Sequence, residues 1–68
     1  MKKLRYIDLS TPGDYDTVVR HLNSAGIPIS DRNKLKLVIS AELTDVQVAV
    51  IDDLPLEEGA SIGTKPLP

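Results

Sequence analysis

A strand pattern passes into a helix pattern without a linking loop in the segment LKLVISAELTDVQVAVIDDLP, residues 35–55. In its first third, from Leu35 to Ala41, apolar residues alternate with Lys36, Val38 and Ser40. An alternation of period two is typical of a strand with one buried face. We expect Leu35, Leu37, Ile39 and Ala41 to face the helices and the intervening residues to face outward.

The helix pattern follows this strand directly. Thr44 is the predicted N-cap residue, and Gln47 three positions later completes a capping box. Leu43 before the cap is placed to pack on Val48 as a hydrophobic staple. The helix is predicted to run to about Leu54, because proline cannot continue it. Its predicted core stripe consists of Val46, Ala49, Val50 and Leu54, with Leu43 and Ile51 at the margins.

The N-terminal half has the same strand-to-helix order. Residues 2–10 have strand composition with apolar residues on both faces, so the pattern leaves open which face is inner. Thr11-Pro12 is a helix-start signal, and Gly26 is a residue that commonly follows a helix end. The spacing of the apolar residues between them predicts a helix over 13–25.

Three further short segments complete the predicted order. Residues 27–30 and 59–64 have strand character, and residues 31–34 have the composition of a polar turn. The resulting order, βαββαβ, indicates an α+β domain of ferredoxin-like topology, with a four-stranded antiparallel sheet and two helices on one face. We expect residues 1–64 to form this domain and residues 65–68 to be a flexible, extended tail, because two of its four residues are proline.

Composition limits the classes of protein that fit. The chain has 68 residues, of which only two are aromatic. It has no Cys, which excludes disulfides and thiolate metal sites. No apolar run approaches the roughly 20 residues that span a bilayer, and the basic N-terminus lacks the apolar region of a signal peptide. We expect a cytoplasmic protein with no membrane partner.

Charge is distributed unevenly along the chain. Residues 1–36 carry seven Lys or Arg against four Asp, a net charge of +3, whereas residues 37–68 carry one Lys against six Asp or Glu, a net charge of −5. One interpretation is ordinary solvation of a fold in which the two halves interleave. The other is a charged binding surface, with the acidic segment 52–58 as the candidate.

Little in the sequence predicts catalysis. His21 is the only histidine and has no partner in a recognisable motif, and no serine is part of a nucleophile motif. No glycine-rich phosphate loop is present. The strand predicted at 35–41 has no aromatic residue on which a nucleic-acid base could stack. We therefore expect no enzyme activity, no metal, no cofactor and no nucleic-acid partner.

The remaining candidate is the sheet face that the helices leave uncovered. Lys36, Val38 and Ser40 are predicted to lie there, beside one face of the first strand. Val38 together with Ile7 or Tyr6 would form an apolar patch with a basic rim. Such a patch is typical of a protein interface or a homodimer, and the alternative is an ordinary solvated sheet face.

The second half of the chain resembles subtilisin propeptides and the related free-standing proteinase inhibitors. The matching positions are Ala41-Glu42-Leu43-Thr44, Gln47 and Leu54-Pro55. The resemblance implies that the uncovered sheet face packs on a serine protease and that the C-terminal tail enters its active-site cleft. It gives binding roles to Lys36 and Val38 on the face and, in the tail, to Lys65, Pro66, Leu67 and Pro68. The prolines depart from what an extended, substrate-like tail requires.

Two alternatives compete with this interpretation. The passage Gly26-Ile27-Pro28-Ile29 is similar to the helix-to-strand passage of small-molecule-sensing regulatory domains with the same topology. A small host- or phage-encoded adaptor that blocks another protein through its charged surface fits the acidic segment 52–58. The sequence favours a non-enzymatic protein-binding module, with protease inhibition or a propeptide-like chaperone role as its specific form.

Overall fold

Two strands that are distant in sequence form the centre of a single antiparallel sheet. The computed structural model describes residues 2–64, and its elements in chain order are β1 (Lys3–Leu9), α1 (Pro12–Ser24), β2 (Ile29–Asn33), β3 (Val38–Leu43), α2 (Asp45–Asp52) and β4 (Ala60–Gly63). The strand order is β2-β3-β1-β4, and all neighbours are antiparallel. This confirms the predicted α+β fold with ferredoxin-like βαββαβ order. The predicted flexible tail, residues 65–68, lies outside the described residues.

One side of the sheet carries the apolar core. Ile7 of β1 lies opposite Ile39 of β3, and both are fully buried with Val18 and Leu22 of α1. Leu9, two residues after Ile7, is buried on the same side. The inner face of the first strand, which the sequence left open, is therefore the face of Ile7 and Leu9.

The first helix agrees with its prediction to within one residue. The hydroxyl oxygen of Thr11 accepts a hydrogen bond of 3.1 Å from the backbone amide of Asp14, and Pro12 occupies the first turn. At the other end Ala25 is the C-cap and Gly26 has a φ of 71°, a conformation that favours glycine. Cap and stop signals thus set both helix limits.

The hairpin between β2 and β3 lies further along the chain than the sequence pattern indicates. Residues 31–33, predicted as a turn, belong to β2, and the turn occupies residues 34–37. The Asn33 side chain accepts a hydrogen bond from the Lys36 amide, and Leu37 has a φ of 57°. A left-handed residue cannot continue a strand, so β3 starts at Val38 and the prediction that it starts at Leu35 is wrong.

The predicted core stripe of α2 is also wrong for most of its members. Val46 is 72% exposed and Val50 is 45% exposed, whereas Ile51 is fully buried. The predicted capping box at the helix start is present. The backbone N–H of Gln47 donates to the hydroxyl oxygen of Thr44, and the backbone N–H of Thr44 donates to the side-chain oxygen of Gln47. Because α2 is apolar on most sides, its pattern does not determine which side packs on the sheet.

Candidate functional site

The two helices leave the opposite side of the sheet uncovered in the part of the chain that the structure describes. The strand registers place one set of alternating residues on that side, which we call the open face: Leu4, Tyr6, Asp8, Asp31, Asn33, Val38, Ser40, Glu42, Ser61 and Gly63. The fully buried residues of the same strands, Ile7, Ile39 and Ala41, lie on the helix side. The open face is thus the broadest candidate surface.

Tyr6 occupies the middle of the open face. It lies opposite Ser40 of β3 on one side and opposite Gly63 of β4 on the other. Neither neighbour has a side chain large enough to cover a phenol ring, so a half-buried Tyr6 presents its ring between two low positions. Leu4, on the same strand and face, is 41% exposed. Sequence reasoning named Tyr6 only as an alternative to Ile7 and did not select Leu4.

The predicted residues Val38 and Ser40 both lie on the open face, with different surroundings. Val38 is half-buried and lies opposite Asp8. Ser40 is only 7% exposed, and its hydroxyl donates a 3.2 Å hydrogen bond to the backbone carbonyl of Asp31. Ser40 therefore holds β2 against β3 and offers little surface to a partner.

Lys36 lies in the turn that connects β2 and β3 and is outside the strand that carries Val38. Its placement on the strand was wrong because β3 starts two residues later. The charged residues that do share the open face with Tyr6 are Asp8, Asp31 and Glu42. The patch is therefore bordered by carboxylates on these strands, and the expected basic rim is absent among the described open-face residues. The tail positions Lys65, Pro66, Leu67 and Pro68 lie outside the described residues.

A buried carboxylate on the other side of the molecule orders the segment before β4. Asp14 is 2% exposed, and its two carboxylate oxygens accept hydrogen bonds of 2.8 Å from the Glu57 amide and 2.9 Å from the Glu58 amide. The Glu58 amide, with further help from those of Glu57 and Gly59, holds the pKa of the Asp14 carboxyl below its ordinary value of 3.8, although burial acts in the opposite direction. This contact fixes the backbone of the acidic segment while its acidic side chains stay exposed.

Arg5 is a polar group that sequence reasoning did not single out. It alternates with Tyr6, so it lies on the helix side of β1, and its side chain is only 14% exposed. Its Nη2 atom is 2.6 Å from a carboxylate oxygen of Asp45 at the start of α2, and its buried Nε has no hydrogen-bond partner among residues 2–64. An arginine inside a sequence pattern of strand residues gives no signal of this role.

A shallow groove lies between α1 and β2. Its volume is about 280 Å³, and it is lined by Tyr15, Asp16, Val19, Arg32 and Lys34. His21 is half-buried on α1 and is not among these residues. In the described part of the chain, no group of three or more His, Asp or Glu side chains is arranged to hold a metal ion. Neither described helix has the length and apolar character needed to cross a membrane.

Comparison with protein-family models, with curated proteins and with solved structures finds no match to this chain. The inference of function therefore depends on the surfaces described above.

Proposed function

We propose that this chain is a small, non-enzymatic protein-binding module that uses the open face of its sheet. The observation that carries the proposal is the position of Tyr6, a tyrosine at the centre of an uncovered sheet face between Ser40 and Gly63. Tyrosine is among the residue types that contribute most at protein interfaces, because it combines a large apolar area with a polar tip. Exposed Leu4 and half-buried Val38 extend the apolar area around it.

The size of the molecule supports this use of the face. The Cα atoms extend over 29 × 26 × 16 Å, and a sheet covered on one side only offers a broad surface relative to so small a volume. A standard protein interface covers about 800 Å² on each partner. An interface of that size would need most of one face of the domain. The open face is the side of the sheet that no helix covers among the described residues.

The specific form that we propose is inhibition of a serine protease of the subtilisin class. It is supported by the resemblance of residues 41–55 to the propeptide and inhibitor family, within a domain of βαββαβ order. It is supported further by the position of Gly63 opposite Tyr6, because the chain then leaves the sheet beside the apolar part of the open face. The proposed tail residues, 65–68, follow directly in the sequence.

The test is an inhibition assay of the purified chain against a panel of subtilisin-type and trypsin-type proteases, combined with affinity capture from a lysate. We compare the wild-type chain with Val38→Asp, with Tyr6→Ser and with a chain that lacks residues 64–68. Val46→Asp is the matched control, because Val46 is an exposed valine on the helix layer.

The proposal predicts that the open-face variants lose at least about tenfold in affinity, equivalent to 1.4 kcal/mol, while the control variant binds normally. Loss of inhibition on removal of residues 64–68 supports the tail mechanism. Capture of a protein other than a protease through the open face would support a protein-binding module and contradict protease inhibition. Equal binding by Val38→Asp, Tyr6→Ser and the wild type contradicts the open face as the site.

A further inference from the structure

The two edge strands of the sheet differ in how they are protected. β2 has an irregular register between Ile29 and Asp31, and the Arg32 amide donates a 2.8 Å hydrogen bond to the Asp31 side chain. Bulges and charged residues of this kind prevent another strand from adding to an edge. At β4 the register against β1 is regular, and its four residues, Ala60, Ser61, Ile62 and Gly63, include no charge and no proline.

The register shows which backbone groups β4 leaves free. The Leu9 amide donates to the Leu37 carbonyl on the β3 side, so the backbone groups of Asp8, the preceding residue, point toward β4. Asp8 lies opposite Ser61, which therefore uses its amide and carbonyl in the sheet. The amides and carbonyls of Ala60 and Ile62 consequently point away from β1 and have no strand partner among residues 2–64.

The charge of the segment that leads into β4 indicates what can occupy this edge. Asp52, Asp53, Glu57 and Glu58 are exposed and precede β4 in the sequence, and residues 37–64 contain no Lys or Arg. Lys65, which follows β4 in the sequence, lies outside the described residues. A second copy of the chain would bring another acidic segment to the edge. We propose that the outer edge of β4 accepts an extended, basic segment of a partner protein as a fifth strand. Main-chain hydrogen bonds then provide affinity, and the acidic residues select for basic side chains.

The two sides of β4 also define the pattern of the added strand. Ala60 and Ile62 lie on the helix side and are half-buried, so alternate residues of the partner that face this side would be apolar. Ser61 and Gly63 lie on the opposite side and are exposed, which leaves room for larger side chains beside them. The added strand would touch the open face only at its margin, Ser61 and Gly63, so it requires contact with neither Val38 nor the ring of Tyr6.

The experiment follows backbone amide exchange by NMR while a probe peptide is added to the full chain. The probe alternates valine and threonine and ends in lysines, and a second probe ends in glutamates. We expect the lysine probe to slow exchange of the Ala60 and Ile62 amides and to leave the β2 amides unchanged. Binding is expected to weaken as salt rises from low to physiological concentration, where the screening length is about 8 Å.

Two surface variants with a matched control test the site. Ser61→Lys places a positive charge on the β4 edge and is expected to weaken the lysine probe at least about tenfold, or 1.4 kcal/mol. Ser30→Lys places the same charge on the exposed part of β2 and is expected to bind the probe normally. Neutralising the acidic segment with Asp52→Asn, Asp53→Asn, Glu57→Gln and Glu58→Gln should remove the preference for the lysine probe.

Several results would overturn the proposal. One is an unchanged exchange rate at the Ala60 and Ile62 amides when the lysine probe is added. Another is equal affinity for the lysine and glutamate probes. A third is an equal loss of probe affinity in Ser61→Lys and Ser30→Lys. A concentration-dependent dimer that Ser61→Lys abolishes would assign the edge to a second copy instead. Val38→Asp is expected to bind the probe normally, which separates this site from Val38 and the centre of the open face.

Discussion

The two helices pack on the same side of the sheet but bury different numbers of residues. Over its 13 residues α1 buries Asp14, Tyr15, Val18 and Leu22, whereas α2, with eight residues, fully buries only Ile51. The apolar residues of α1 recur at spacings of three and four with polar residues between them, so only one side can face the core. The α2 sequence is apolar on several sides, and its orientation is set by its cap and by the strand before it. Contrast between faces, more than total apolar content, specifies how a helix docks.

The largest effects are expected from truncating the residues that attach each helix to the core. Leu22→Ala and Ile51→Ala should each lower the free energy of unfolding by about 2–5 kcal/mol, because both side chains are fully buried. For a domain of this size the thermal midpoint should fall by more than about 10 °C. Thermal denaturation followed by circular dichroism measures both. A loss below about 1 kcal/mol for Ile51→Ala would show that α2 packs through another side.

The next effect concerns the buried carboxylate of α1. Asp14→Asn should lower the free energy of unfolding at neutral pH. The asparagine side chain has only one oxygen, so its NH₂ group would face the backbone N–H of either Glu57 or Glu58, and that hydrogen bond would be lost. The pKa of Asp14 is lowered in the folded state, so its contribution is present above the unfolded pKa of about 3.9 and is lost as pH falls through the folded pKa.

Urea denaturation of the wild type and Asp14→Asn between neutral and strongly acidic pH tests this dependence. The stability difference between the two proteins should be constant near neutrality and should shrink below about pH 4. A difference that grows in acid would contradict the assigned hydrogen bonds. Asp16→Asn, an exposed acid in the same helix, is the control and should leave the profile close to that of the wild type.

A smaller effect is expected at the start of α2. Thr44→Ala removes the oxygen that accepts from the Gln47 amide and should cost about 1 kcal/mol in chemical denaturation. Thr17→Ala is the control, because the Thr17 hydroxyl donates only to the Gly13 carbonyl within α1, where that bond helps the helix little. Equal losses in the two variants would mean that the cap does not set the helix start.

The smallest effect is expected on the exposed side of α2. Val46→Ala should stabilise the protein slightly, by up to about 0.5 kcal/mol, because alanine favours the helix more than valine does and little apolar area is lost from a side chain that is 72% exposed. The free energy from urea denaturation, compared with Val18→Ala in the core of α1, measures the contrast. A loss above 1 kcal/mol for Val46→Ala would contradict the observed orientation.

These contrasts explain which parts of the structure could be predicted. The order of elements and the helix starts followed from local signals at Thr11, Pro12, Thr44 and Gln47, whose chemistry acts within one turn of helix. The limits of β3 could not be predicted, because Leu35 and Leu37 continue the alternation although the hairpin turn takes them out of the strand. That turn depends on pairing between β2 and β3, which is not encoded in either segment alone.

The candidate surface divides in the same way. Val38 could be placed on the outer face from alternation within its own strand. Tyr6 could not, because β1 is apolar on both faces and only its pairing with β3 and β4 decides which residues meet the helices. The role of Asp14 was also missed, since its partners lie 43 and 44 residues away in the sequence and donate through backbone amides that no motif marks.

The central position of β1 has a consequence for synthesis. Within this sheet β1 emerges from the ribosome before the other strands, yet its two neighbours are β3 and β4, which emerge later. A nascent chain that has reached only the end of α1 has no second strand of this sheet, and the Asp14 carboxylate lacks the Glu57 and Glu58 amides until those residues are made. Folding must then wait for nearly the whole described chain, and contacts distant in sequence are associated with slow folding. Until that point β1 is accessible to chaperones, or to the wrong strand.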